Sequence, residues 1–324
     1  MHYPLTLSSV DADGTAWKAN FEACWPDYKR WYLSEGASAR PRFPACTRAL
    51  EQHMPELVPV FERVVRWAGG GDLAARFLSL WRPPPYMAGC TQTVWSGPTG
   101  PLLIRNYDYD TRWFEGEVFH TEWLRPVIGV SDCAWGLLDG MNADGLCASL
   151  TFGGSKAVGP GFGIPLLIRY VLETCTTVAE ARAVFERVPV HMAYNVTLLD
   201  RTGAHAILYL EPGGGCVASD AIVCTNHQAA VAWPAYETAT KTRERQAFLT
   251  TQLEDPTLTP EAIVQLFLSE PLYQHHFDRS FGTLYTSSWS PAAGRLDLHW
   301  PGRSVTTTFD SFAPQNLLIE LATS

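Results

Sequence analysis

The chain has 324 residues, enough for one large domain or two ordinary ones. Hydrophobic residues make up 46% and charged residues 18%, the balance of a chain that folds around a core, which excludes wholesale disorder. A formal net charge of -9 without any basic run speaks against nucleic acid as a partner, since phosphate binding needs clustered Lys and Arg.

From the N-terminus, residues 1–14 lack a basic region followed by an apolar stretch, so no signal peptide is expected. The first 89 residues read mainly as helix. Between Thr47 and Trp67, Leu50, Met54, Leu57, Val58, Phe61, Val64 and Val65 fall near helical spacing. Gly69-Gly70-Gly71 ends that run, and Asp72 is placed to cap a second helix through Leu80. Arg82-Pro83-Pro84-Pro85 then stops any helix and forces an extended, exposed connection.

After Cys90 the texture changes to short strands. Thr91–Trp95 and Leu102–Tyr107 flank the turn Gly97-Pro98-Thr99-Gly100. Glu117–Leu124 and Val127–Val130 read as further strands. Trp135–Gly140 and Gly145–Phe152 form a hairpin around Met141-Asn142-Ala143-Asp144, with positive φ expected at Gly145. Helices follow at Ile164–Cys175 and Thr177–Val188, the second opened by the capping box Thr177-x-x-Glu180. The apolar run from Ile164 to Leu172 is interrupted by Pro165 and Arg169 and is too short to span a bilayer. No membrane partner and a cytoplasmic location are the expectation.

Strands return at Asn195–Leu199, Ala204–Leu210 and Ala221–Thr225. Helices resume at Thr242–Leu253 and Pro260–Leu268, with Thr259 as N-cap and Pro260 at the first position. Gly282–Ser288 and Arg295–Trp300 close as a last hairpin. This order predicts an α+β chain of two stacked sheets between two helical layers, a four-layer αββα sandwich.

The eight cysteines (24, 46, 90, 133, 147, 175, 216 and 224) form no CxxC pair and no Cys/His zinc spacing, so no metal is expected and most read as reduced packing residues. Cys90 stands apart because it opens a strand whose hairpin partner ends in Arg105-Asn106-Tyr107-Asp108. A thiol is a few per cent ionised at neutral pH, and an adjacent guanidinium raises that fraction. Were the chain to break between Gly89 and Cys90, the new α-amine would lie beside the sulfur as a base, and Asp108 could hold it. On spacing alone the bland reading also stands, with Cys90 a buried strand cysteine and Arg105–Asp108 a structural ion pair.

Five motifs in order weigh between these readings: Gly89-Cys90-Thr91, Arg105-Asn106-x-Asp108, Met141-Asn142-x-x-Gly145-Leu146, Thr225-Asn226-His227 and Gly282-Thr283-Leu284-Tyr285. From about Met87 onward the sequence resembles the Ntn-hydrolase family of the isopenicillin-N (acyl-CoA:6-aminopenicillanic acid) acyltransferases. It is more distantly similar to choloylglycine hydrolases and penicillin V acylases. The resemblance implies the αββα Ntn-hydrolase fold, a precursor, and self-cleavage before the cysteine. It makes Cys90 the nucleophile, its freed amine the base, Asp108 the group orienting that amine, and Asn226 a donor to the oxyanion. Arg105 matches the arginine of the choloylglycine branch, where the acyltransferases carry glutamine.

Departures from the family pattern also stand out. Thr151 occupies the position of a second oxyanion asparagine of the bile-salt hydrolases, Asn195 replaces a serine of the acyltransferases, and Arg279 is shifted by one residue relative to Thr283. With His227, these three are the remaining oxyanion or substrate-binding candidates. Arg243 and Arg245 share a helix from which one could reach the site. His275-His276 would diverge in a regular element and read as surface residues, and Gly213-Gly214-Gly215 lacks the strand-to-helix context of a nucleotide loop.

The resulting expectation is a helical pro-segment or small subunit, 1–89, that stays bound to a catalytic domain, 90–324. A Cys90 thioester would act on an acylated small molecule or peptide-like amide, with hydrolysis favoured over acyl transfer. No bound cofactor is expected, acyl-CoA entering only as a substrate, and homo-oligomerisation is left open. Two alternatives stand beside it: an uncut, non-catalytic binding protein on the same scaffold, and a conventional cysteine protease pairing Cys90 with His227.

Overall fold

The computed structural model describes residues 1–277 and 281–321. The chain opens with strand β1 (His2–Ser9), then helices α1 (Thr15–Tyr32), α2 (Phe43–His53), α3 (Val58–Trp67) and α4 (Asp72–Leu78). Strands β2 (Gly89–Gly97), β3 (Gly100–Tyr109), β4 (Glu117–Glu122), β5 (Pro126–Asp132), β6 (Gly136–Asn142) and β7 (Cys147–Phe152) follow. Next come α5 (Ile164–Thr174), α6 (Val178–Arg187), β8 (Tyr194–Leu199), β9 (His205–Leu210), β10 (Cys216–Ser219) and β11 (Val223–Cys224). The chain ends with α7 (Pro234–Thr240), α8 (Thr242–Gln252), α9 (Pro260–Phe267), β12 (His275–His276), β13 (Phe281–Ser290), β14 (Arg295–Trp300), β15 (Arg303–Thr308) and β16 (Gln315–Glu320).

The strands form two sheets. One runs β10-β9-β8-β7-β6-β5-β4-β1-β16 and the other β11-β2-β3-β13-β14-β15, with β12 beside β13. They stack face to face, β2 and β3 lying over β7 and β8, while α5 and α6 cover the outer face of the first sheet and α8 and α9 that of the second. The predicted α+β, four-layer αββα architecture is therefore present.

The N-terminal segment differs from expectation. It is not helical throughout: β1 is built into the large sheet, antiparallel to β16 and parallel to β4. The signal lies in Tyr3, Leu5 and Leu7, alternate residues that are all buried, which is strand periodicity. The run expected as one helix from Thr47 to Trp67 breaks at Met54, where Pro55 follows and disfavours the α conformation in the residue before it. Strands β10, β15 and β16 and helix α7 also went unread, being short or weakly patterned.

Helix α5 is buried from Ile164 through Glu173, apolar nearly all round because it is sandwiched. Its second cover is the N-terminal helical region, where Tyr170 donates to Glu56 at 2.6 Å and Trp135 Nε1 to the Leu78 carbonyl at 2.8 Å. Thr177 and Glu180 form the expected capping box on α6, and Thr259 caps α9 through the Ala262 amide. Among the described residues no helix is long and apolar enough to cross a membrane.

Candidate active site

The β2–β3 hairpin turns on Pro98-Thr99, with Gly97 opposite Gly100. Its register sets Gly89 opposite Asp108, Cys90 opposite Tyr107 and Gln92 opposite Arg105. Residues paired in an antiparallel ladder share a face, so Cys90, Gln92, Arg105 and Tyr107 look into the space between the sheets. Gln92 confirms that direction by donating to Ser149 Oγ at 2.7 Å and the Leu150 carbonyl at 2.8 Å on β7. Gly89, Thr91, Asn106 and Asp108 look the other way, toward α8 and α9. Asn106 donates to the carbonyls of Phe267 and Leu272.

Two faces of the strand thus serve two parts of Cys90. On the inner face, Arg105 Nη2 lies 3.3 Å from Cys90 Sγ. The same guanidinium meets Asp139 of β6 at 3.2 Å, with both side chains fully buried, and rests 4.7 Å over the Tyr107 ring. Asp139 also accepts from Tyr285 (2.8 Å), Ser287 (2.5 Å) and Trp289 (3.2 Å), alternate residues of β13. The Arg105–Asp108 ion pair of the purely structural alternative is therefore not formed. Asp108 sits on the opposite face, and the partner of Arg105 comes from the other sheet.

On the outer face, the Cys90 amide donates to Asn226 Oδ1 at 2.8 Å and the Cys90 carbonyl accepts from Arg245 Nη1 at 2.8 Å. Arg245 Nη2 also donates to Asn226 Oδ1 at 2.9 Å. Asn226 Nδ2 reaches the carbonyls of Ala88 and Phe152, each at 3.3 Å. Asp108 Oδ1 accepts from Thr283 at 2.7 Å, whereas its Oδ2 lies 3.6 Å from Arg245 Nη1 and has no hydrogen bond.

Local structure explains how these groups arrive. Thr242 and Arg245 are one turn apart on the buried face of α8. Thr242 Oγ1 accepts from the Asn226 amide at 2.8 Å and fixes that backbone, while Arg245 donates to the Cys90 carbonyl, Thr91 Oγ1 and Asn226 Oδ1. Arg243, on the other side of the helix, pairs with Glu237 and is mostly exposed. Gly89 is glycine because a Cβ there would come within 2.3 Å of the Phe281 ring.

Burial pushes the Cys90 thiol above the ordinary cysteine range, with Arg105 pulling it down less strongly. In the intact chain the pull of the guanidinium toward the thiolate is thus the weaker of two opposed effects. Burial likewise raises Asp108, opposed by Arg245 and the Thr283 hydroxyl.

The remaining candidates act one step away. Thr151 and Asn195 are register partners on β7 and β8, and both donate to the Thr225 carbonyl, at 3.1 and 2.9 Å. Asn195 also holds the His227 carbonyl at 3.1 Å. They fix the segment carrying Asn226. The His227 ring lies on Thr225 and Thr242, at 3.2 and 3.0 Å, and burial lowers its pKa. The Cys90 sulfur instead contacts Arg105, so the pairing that the cysteine-protease alternative requires, Cys90 with His227, is not formed. Arg279 lies outside the described residues. Of the adjacent histidines, His275 is half-buried beside Tyr273 and His276 is exposed.

Sequence reading missed Asp139, although Tyr285 and Thr283 stood within a quoted motif. Asp139 could have been noticed as a carboxylate inside the otherwise apolar run Gly136–Met141.

Residues 95–304 match the family described as acyl-coenzyme A:6-aminopenicillanic acid acyl-transferase. The match begins after Cys90. No curated protein sequence matches the chain. Among solved structures it is similar to a penicillin V acylase from Agrobacterium tumefaciens, with 17% identity, 70% of this chain and 91% of that one covered, and a TM-score of 0.46. It is also similar to a variant conjugated bile acid hydrolase from Clostridium perfringens, with 12% identity, coverage of 74% and 98%, and a TM-score of 0.46. A third is an N-acylethanolamine-hydrolyzing acid amidase ortholog from Caenorhabditis elegans, with 15% identity, coverage of 72% and 100%, and a TM-score of 0.49.

Proposed function

Because this chain belongs to the acyl-coenzyme A:6-aminopenicillanic acid acyl-transferase family, we propose that it is a self-processing amidohydrolase or acyltransferase with Cys90 as its N-terminal nucleophile. The single observation that carries the reading is the paired environment of Cys90. Its sulfur lies against Arg105, while its amide is held by Asn226 beside a buried Asp108 oxygen that lacks a hydrogen bond.

That oxygen has Arg245 at 3.6 Å as its counter-charge but no hydrogen bond, and a buried acceptor without one costs about 1–3 kcal/mol. The peptide amide of Cys90 has one proton, already given to Asn226. An α-ammonium would have three, and Asp108, whose register partner is Gly89, would accept one of the others. The outer face is thus better matched to a free amine than to the amide now there.

In processing, Cys90 Sγ attacks the Gly89 carbonyl carbon and the C–N bond breaks. The thiol proton ends on the departing nitrogen of Cys90, leaving a thioester at Gly89. Water then hydrolyses that thioester, freeing the Gly89 carboxylate and regenerating the thiol. In turnover, the new α-amine takes the thiol proton, Sγ attacks the acyl carbonyl of the substrate, and the substrate amine leaves with that proton. Water resolving the thioester gives hydrolysis, the favoured outcome, and an acceptor amine gives transfer. No bound cofactor takes part; acyl-CoA would enter only as an acyl donor. Asn226 Nδ2 is the candidate oxyanion donor, a role whose removal costs about 10²–10³ in rate where such donors have been tested.

Residues 1–89 would then remain as a small subunit on 90–324. The hydrogen bonding of β1 to β4 and β16 gives the cut segment a firm hold on the large sheet. N-terminal sequencing of the purified protein tests the proposal. A second terminus reading Cys-Thr-Gln-Thr supports it, and its absence from fully folded protein refutes it.

A further inference from the structure

Between α1, the segment Pro85–Met87 and β3 lies a cavity of about 640 Å³, within the usual range for a small-molecule site. Tyr107 lines it, and Tyr107 is the cross-strand partner of Cys90, so the cavity and the thiol lie on the same side of the sheet. Much of the wall is aromatic, with Trp31, Tyr86, Tyr107, Tyr109 and Phe114.

Three carboxylates also line the cavity: Asp27, which pairs with Arg30, and Glu115 and Asp132, which do not pair with it. Glu115 accepts from Asn20 (2.9 Å), the Tyr28 hydroxyl, Ser131 (2.7 Å) and the Ala134 amide (2.7 Å), all of them neutral donors. Asp132 accepts from Tyr28 at 3.3 Å. The two lining arginines are engaged elsewhere, Arg30 with Asp27 and Arg112 with Asp110, and both are largely exposed. Among the described residues no ion pair reaches Glu115 or Asp132. Removal from bulk water, then the like charge of Glu115, push the Asp132 carboxyl up to about 7.

A second observation points the same way. The Tyr86 hydroxyl is buried without a hydrogen-bond partner, on a side chain that lines this cavity and feels the Asp132 charge. Two uncompensated acids and an unused hydroxyl beside aromatic faces lack one thing, a hydrogen-bonding cation.

We propose that this cavity binds a protonated amine carried on an aromatic or apolar body, the ammonium held by Asp132, Glu115 and Tyr86 and the body by the rings. That the amine belongs to the amide substrate rests on the reading of Cys90 given above; the binding itself does not.

The test is calorimetric titration of 2-phenylethylamine and its neutral analogue 2-phenylethanol into the full chain, as wild type and as Cys90→Ala. The amine should bind about ten-fold more tightly or better, a difference of ~1.4 kcal/mol. Asp132→Asn should bring the two ligands within about two-fold of each other, since one counter-charge is lost. Tyr86→Phe, which removes only the unpartnered hydroxyl, should weaken the amine several-fold without lowering the melting temperature. Equal binding of amine and alcohol by wild type overturns the proposal. So does an amine preference that survives both substitutions. If the preference fails in a chain that still cuts itself, only the cavity assignment is lost. If it holds in a chain that never processes, the cavity stands and the Cys90 reading falls.

Discussion

The backbone amide of Cys90 donates to the side-chain oxygen of Asn226 at 2.8 Å, joining residues 136 positions apart. Arg245 binds the same oxygen and the Cys90 carbonyl, so the three form one buried unit that sets the position of the Gly89–Cys90 bond.

Asn226→Ala removes the acceptor for the Cys90 amide and for Arg245, and with them the Nδ2 donor to the Ala88 and Phe152 carbonyls. Processing should slow by about 10²–10³, the cost of losing an oxyanion donor. Gel densitometry of fragment appearance during refolding measures it. A rate within about two-fold of wild type would take Asn226 out of the chemistry.

Asp108→Asn keeps the shape and leaves the Thr283 bond available, but replaces the oxygen that lacks a hydrogen bond with an N–H₂ group. That group cannot accept from an ammonium. Turnover should therefore fall at least about ten-fold, as expected for loss of a charge-assisted hydrogen bond. Burst kinetics with an amide substrate would check it, and unchanged rates would show that Asp108 plays no part in holding the amine.

Arg105→Ala leaves Asp139 buried with only Tyr285, Ser287 and Trp289 as partners. Breaking a fully buried pair costs about 3–5 kcal/mol. A drop of that size in urea-unfolding free energy is expected, and the double variant with Asp139→Asn should recover part of it. A near-neutral single substitution would mean that the pair is not the clasp between the sheets.

Much of this architecture was legible in the sequence, and the failures have physical causes. The hairpin, the capping box at Thr177 and the helix start at Thr259 rest on contacts within a few residues, which local chemistry dictates. Cys90, Asn226 and Arg105 were reached through motif order, and geometry then brought them together. Asp139 stood out only as a carboxylate in an apolar strand; its role was out of reach because it depends on which strand of the other sheet faces Arg105, a matter of sheet stacking. The strand at Tyr3–Leu7 was patterned plainly enough, but the helical texture of the following residues obscured it.

Gly89→Ala would drive a methyl group to 2.3 Å from the Phe281 ring and 3.1 Å from Asp108 Cβ. The strand end must shift, and processing should fall steeply. Phe281→Ala in the same chain frees the space and should restore part of the rate. Absence of any rescue would place the glycine requirement in the chemistry of the cut and not in packing.

The raised Cys90 thiol gives processing a pH dependence of definite sign. A thiol pKa above the ordinary value of about 8.5 means that the thiolate fraction is still climbing throughout neutral pH. The rate should then increase about ten-fold per unit from about pH 6 to 8.5, without a plateau. A quenched time course across that interval reads the slope, and a flat profile would exclude the buried thiolate as the attacking species.

The most direct test is intact-mass spectrometry of the purified wild-type chain beside its Cys90→Ala variant. The wild type should give fragments of 89 and 235 residues and the variant a single chain of 324. An uncut wild type whose Cys90 resists iodoacetamide, or a variant that is cut all the same, would contradict self-processing by Cys90.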